Sequence, residues 1–297
     1  MKKAGLVLYI LAGAALVISG FATMEKGLKE NNREVLYKVA DDYQELGDMG
    51  FAGFCPLDYK VAFSDGEKDI LVSYNDGKCD YIERKAVFEG LVGSVYQDGD
   101  EFQIVVPQYD TWATLEALND EPLSVVVWHE GFHAYQNTHF NLYENVTGDI
   151  YSETELSSII DSDSAAKELF EHELKILSRI ITEENSGDAV EIAIEYTKTA
   201  KERRGLLADA AAYSEDFYTM LEGTAYYVEA QAVRSEMGEE TYIKNYLDTA
   251  SKYVDGNAKY YRLGMLECML LDKLDENWKD SYSFDRPLIE VIEDYIR

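Results

Sequence analysis

Cysteine, histidine and basic charge are all scarce in this chain of 297 residues. The three cysteines, Cys55, Cys79 and Cys268, lack the spacing of a cysteine zinc site. Lys and Arg number 27 against 57 Asp and Glu, a net charge of −30. That balance excludes nucleic acid as a partner, because its phosphates would be repelled. It would suit cationic substrates, although acidic charge also simply keeps exported proteins soluble. An apolar content of 46% excludes a disordered chain. No internal repeat, low-complexity tract or flexible linker interrupts the sequence, and its length suits one or two domains with a sizeable core.

Only one long apolar run is free of charge, Ala4 to Thr23, and it follows Lys2 and Lys3. Twenty helical residues reach about 30 Å, enough to cross a bilayer. The positive start sets the N-terminus in the cytoplasm. Residues 1–23 therefore read as a signal peptide, with Gly20-Phe21-Ala22 as a cleavage site, or as a retained anchor. Either way residues 24–297 are expected to be exported, touching a membrane only through that anchor. No cysteine follows the run to carry a lipid. Export permits a disulfide, and Cys55 and Cys79 could pair. Cys268 lies in an apolar helix and reads as a buried thiol. Asn145-Val146-Thr147 fits a glycosylation acceptor in a eukaryotic secretory pathway.

Two of the four histidines stand in Trp128-His129-Glu130-Gly131-Phe132-His133-Ala134-Tyr135. His129 and His133, four apart, share one face of a helix and can reach one Zn²⁺. Glu130, about 100° round the helix, is close enough to take a proton from water at the metal. This is the H-E-x-x-H pattern of zinc peptidases. Val125, Val126, Val127 and Trp128 lead in, so the helix is expected to be buried behind a cleft. Gly131 inside it costs roughly 1 kcal/mol against alanine and implies a packing or functional reason. The 23 tyrosines suit a wet cleft.

A catalytic zinc takes three protein ligands, and two residues compete to be the third. His139 has the metzincin spacing, but Gln136 stands where that pattern has its glycine. Asn137 could make the turn instead. The rival is Glu222, in Leu221-Glu222-Gly223-Thr224-Ala225-Tyr226-Tyr227-Val228-Glu229. This segment resembles the E-G-x-A-x-Y-x-E run that supplies the third ligand in gluzincins of the aminopeptidase N type. Tyr261-Arg262-Leu263-Gly264 and the apolar helix after it resemble the segment in which that family places its transition-state tyrosine. The resemblance spans residues 128–271. It implies a zincin fold, a gluzincin metal site of His129, His133 and Glu222, Glu130 as base, and Tyr261 (with Tyr226 in reserve) as oxyanion donor. Two departures stand out: 88 residues separate His133 from Glu222, far more than in the family, and the segment that grips a free amino terminus is absent. Aminopeptidase specificity is therefore not carried over.

Residues 28–47 read as a helix closed by Gly47. Strands are expected at Lys60–Phe63, Asp69–Tyr74, Cys79–Glu83, Gly93–Tyr96 and Phe102–Val106, with turns at Asn75-Asp76-Gly77 and Asp98-Gly99-Asp100. By resemblance, Phe102–Pro107 would form the cleft's upper edge, where a peptide could add as a strand. Helices are expected over 121–137, 162–184, 187–209, 208–234, 239–253, 257–274 and 285–296. His172 reads as an exposed helix residue. Within 208–234, Tyr213, Phe217, Met220, Leu221, Thr224 and Val228 make an apolar stripe. Glu215, Tyr218, Glu222, Tyr226 and Glu229 line a neighbouring face, either solvated or a cleft wall. The fold class is thus α+β and zincin-like: a strand-rich lobe over 24–120, a helical catalytic lobe over 121–297, and a helical insertion at about 140–207. The expected function is that of an exported zinc metallopeptidase acting on a peptide or protein substrate. One alternative is an exported helical binding or cell-surface protein whose zinc site is structural or vestigial. Another is a hydrolase acting on a non-peptide bond.

Overall fold

The computed structural model describes residues 29–90, 93–113, 121–140, 142, 150–182 and 186–297. The apolar leader and Asn145-Val146-Thr147 lie outside the described residues. Among the described residues no helix is long and apolar enough to cross a membrane. The architecture is α+β: a small mixed sheet, then several helices.

Helix α1 (29–46) leads into the sheet, with Val35, Leu36 and Val39 buried. Strands β1 (Lys60–Ser64), β2 (Lys68–Asn75), β3 (Lys78–Lys85), β4 (Ser94–Asp98) and β5 (Glu101–Pro107) follow. Asp76 and Gly77, both at positive φ, turn β2 into β3, as the Asn-Asp-Gly signal requires. Gly99 at φ 66° closes the β4–β5 hairpin. The order across the sheet is β3-β2-β1-β5-β4, with β5 parallel to β1 and the other pairs antiparallel. This corrects the expected cleft edge. Phe102–Pro107 lies inside the sheet between β1 and β4; the two-residue turn folds β4 back along its outer side, so β4 is the edge. Alternation sends Val61, Phe63, Ile70, Val72, Ile104 and Val106 into the main core, while Ala62, Leu71 and Val105 meet Val87, Phe88 and Tyr96 on the other face.

Helix α2 (Leu123–Phe140) carries the H-E-x-x-H motif and packs between the sheet and α7 (Thr224–Met237). Its back is held by aromatic rings: Phe132 lies 4.8 Å from Phe51 and 5.0 Å from Phe54, and Trp128 lies 5.8 Å from Phe54. Gly131 now has its reason. A Cβ there would stand 2.8 Å from the Pro56 Cβ, in the turn before β1, and 3.3 Å from Ile104 of β5, so a side chain would push the motif helix away from both.

After α2 come α3 (Glu153–Ser162), α4 (Ser164–Ser178) and α5 (Ser186–Arg204). Helix α3 was not foreseen as a separate element; a capping box of Ser152 and Glu155 starts it. His172 is exposed on α4, as expected. The helix expected over 208–234 is split. It runs as α6 (Asp209–Tyr218), a π turn (Thr219–Gly223) and then α7. A short helix α8 (Glu239–Tyr242), helix α9 (Ala258–Leu274) and helix α10 (Leu288–Asp294) complete the chain.

A buried ion cluster ties α4 and α5 to α6. Arg203 of α5 is fully buried and makes paired hydrogen bonds of 2.6–2.8 Å to Glu173 of α4 and Glu215 of α6, over the Phe170 ring. Glu215 is therefore not on a solvated face or a cleft wall. The π turn that carries Glu222 advances the chain by less than 100° per residue, so Glu215 and Glu222 lose the shared face that α-helical spacing implied.

Cys55 and Cys79 are separate free thiols, not a pair. Cys55 lies beside Tyr43, whereas Cys79 lies beside Tyr81 on the outer strand β3. Cys268 is fully buried in α9, and burial pushes its thiol well up.

Candidate metal centre

His129 and His133 project from α2 toward the π turn that carries Glu222. Their Nε2 atoms are 3.1 Å apart, and Glu222 Oε2 lies 3.5 Å from the first and 3.3 Å from the second. Three residues from two distant helical segments thus form a group that could hold a metal ion. Bonds of about 2.0–2.1 Å to a tetrahedral centre place ligand atoms roughly 3.3 Å from one another. The observed triangle has that size.

The outer nitrogens fix which atoms face inward. His129 Nδ1 donates to Glu229 Oε2 at 2.6 Å, and Glu229 Oε1 accepts from the Tyr246 hydroxyl at 2.7 Å. His133 Nδ1 donates to Gln136 Oε1 at 2.8 Å. With the protons on Nδ1, both Nε2 lone pairs point at the Glu222 carboxylate, an arrangement that a cation relieves. The electrostatics agree. Burial pulls both imidazoles down, but the carboxylates around them, Glu222 and Glu130 with Glu229 at His129, together outweigh it, and both pKa values rise, so this pocket favours positive charge. Burial alone would raise Glu222, yet His133 and His129 hold it well below the usual carboxylate range. Behind His129, burial and the Glu229 charge push Glu121 up to about 7.

Helix α2 continues to Phe140 without a turn at Gln136 or Asn137; the Asn137 amide donates to the His133 carbonyl at 2.7 Å. Six helical residues carry His139 about 240° round from His133. There it packs on Tyr135, ring centres 4.5 Å apart, with Gly53 nearby. His139 is not in the cluster.

Glu130 is buried beside the cluster, and burial raises its carboxyl above the ordinary range. Gly93, just before β4, makes room for it: a Cβ there would stand 2.8 Å from Glu130 Oε1. The cleft in front measures about 420 Å³ and is lined by Phe88, the start of β4 at Ser94 and Val95, and Tyr261 as well as by the motif residues and Glu222. Its wall is the edge strand.

Tyr261, in the first turn of α9, faces this cleft, its ring 6.4 Å from that of His129. Its hydroxyl donates to Glu153 Oε1 at 3.3 Å, and burial together with the Glu222 charge pushes its pKa far up, so it keeps its proton. Tyr226 packs behind it against Tyr246 and does not line the cleft. What brings α9 so close is a glycine crossing. A Cβ on Gly223 would stand 2.4 Å from the Gly264 Cα, and one on Gly264 would stand 2.3 Å from the Thr219 carbonyl oxygen. The glycine after Glu222 and the glycine three residues after Tyr261 therefore touch each other.

Four neighbours have no role at the site in the sequence reading: Glu229, Gln136, Glu153 and Gly93. Glu229 stands on the helix line of Glu222, seven residues on, and that line was the signal for it. The sequence matches no family model, and no curated protein or solved structure matches it either.

Proposed function

We propose that this chain is an exported, zinc-dependent metallopeptidase of zincin-like fold that hydrolyses peptide bonds. The observation that carries the reading is the 3.1–3.5 Å triangle of His129, His133 and Glu222 beside a buried carboxylate, at the floor of an accessible cleft. Two neutral imidazoles and one carboxylate suit zinc and leave a fourth position for solvent. Zinc held there would supply Lewis acidity toward water and toward a carbonyl oxygen.

The chain's own residues supply the proton chemistry. Glu130 takes the proton of the attacking water and passes it to the leaving nitrogen; a carboxyl raised by burial is a better base than an exposed one. Tyr261 stays protonated and can turn from Glu153 to donate to the carbonyl oxygen as it gains charge. Among the described residues no strand pairs with the outer side of β4, where an extended peptide could add as a further strand. A site that merely held structure together would have use for neither Glu130 nor the cleft. Export rests on the leader, and the substrate is a peptide or protein.

The test is cleavage of a mixed peptide library by the purified chain, before and after chelation and after zinc is returned. Cleavage that stops with the chelator and resumes with zinc supports the reading. Stoichiometric zinc with no peptide bond cut would remove it. Tyr261→Phe should lower kcat by roughly 10²-fold with little change in KM, because the hydroxyl acts mainly in the transition state. Steady-state kinetics check this; an effect on KM alone would assign the hydroxyl to ground-state binding.

A further inference from the structure

Gln136 stands where a metzincin-type turn would need glycine, and its amide instead does two things at once. It is fully buried, three residues after His133 and on the same face of α2. Its Oε1 accepts from His133 Nδ1, while its Nε2 donates to the Leu221 carbonyl at 3.0 Å and to the Thr224 hydroxyl oxygen at 2.8 Å. The Met220 carbonyl lies 3.4 Å from the same nitrogen and accepts from Thr224 Oγ1 at 2.6 Å. The amide has only one workable orientation, because a flip would set its oxygen against two carbonyls.

Leu221 and Met220 belong to the π turn, where the wider i→i+5 pattern takes carbonyls out of the α-helical ladder. The Met220 carbonyl has the Thr224 hydroxyl as a donor, and Gln136 supplies one to the Leu221 carbonyl; a buried hydrogen bond of this kind contributes about 0.5–1.5 kcal/mol. Glu222 is the next residue. The side chain that sets the tautomer of the second histidine therefore also completes the backbone turn that aims the carboxylate.

We propose that Gln136 is a positioning residue that couples His133 to Glu222, tying the shape of the π turn to the metal-binding geometry of the motif helix. It touches no reacting atom. Thr224 is the relay, giving its proton to Met220 and its lone pair to Gln136. The inference rests on the metal reading above.

The test is zinc affinity of the full chain, titrated against a chromophoric chelator, together with thermal unfolding of each metal-free form. Gln136→Met, close in size but without the amide, should bind zinc about 10–100-fold more weakly while remaining folded. Thr224→Val, which leaves the hydrogen bond of His133 in place, should weaken binding about 10-fold, and it decides the matter if Gln136→Met does not fold. In a Glu222→Ala background the Gln136→Met loss should shrink severalfold, since much of it acts through that carboxylate. A loss that is undiminished there would confine Gln136 to His133 and overturn the coupling. Unchanged affinity in folded Gln136→Met, or in Thr224→Val where that variant decides, would overturn it as well. A wild-type chain that binds no zinc would remove the metal reading itself, and the two failures are told apart by that control.

Discussion

Glu222→Ala should weaken zinc binding by roughly 10²–10³-fold, whereas His139→Ala should leave it unchanged. A zinc site is worth about 10–16 kcal/mol where four ligands hold it, so each ligand carries a share of a few kcal/mol. Glu222 Oε2 stands within 3.5 Å of both Nε2 atoms and is the only anionic corner of the triangle. Its loss also removes the charge that favours a cation between two imidazoles. His139 lies on another side of α2, its ring tilted against that of Tyr135. Calorimetric titration of the two variants with zinc is the check. The reverse pattern, a site emptied by His139→Ala and kept by Glu222→Ala, would put His139 in the place of Glu222.

Glu130→Gln should keep its zinc and lose about 10²–10⁴-fold in kcat, the range expected when a general base is removed. That is about 3–5 kcal/mol of barrier. The substitution isolates chemistry from packing, because the amide fills the same space opposite Gly93 that the carboxylate fills. Glu130 is not a corner of the triangle, so metal content should stay stoichiometric. Zinc content and turnover measured on the same preparation separate the two effects. Undiminished turnover would take the role of base away from this residue.

The parts of this molecule legible in its sequence are those governed by neighbours a few residues apart. His129 and His133 needed only one turn of helix to declare a shared face. Asp76-Gly77 and Gly99 announced their hairpins because few other residues accept such backbone angles. Glu222 was different. No local rule links it to a motif 88 residues away, and only the likeness of its flanking residues to a known segment singled it out. Periodicity misled at Glu215, because one π turn shifts the phase of everything before it relative to everything after. Gln136 drew attention only as a missing glycine; its use depends on two carbonyls that no pattern in the sequence reveals. Strand β5 was recognised, but its place inside the sheet was not. Strand identity is local, whereas strand order depends on how the whole sheet assembles.

The guanidinium shared by Glu173 and Glu215 bears on how the long stretch between the second histidine and Glu222 should be regarded. A shorter chain joining α2 directly to α6 would strand Glu215 in a dry interior without its counterion. Excision would therefore remove the counterion together with the packing around it, leaving Glu215 to find solvent or a proton instead. Helices α4 and α5 are accordingly a buttress cast together with the wall behind Glu222, not an ornament added to a smaller scaffold.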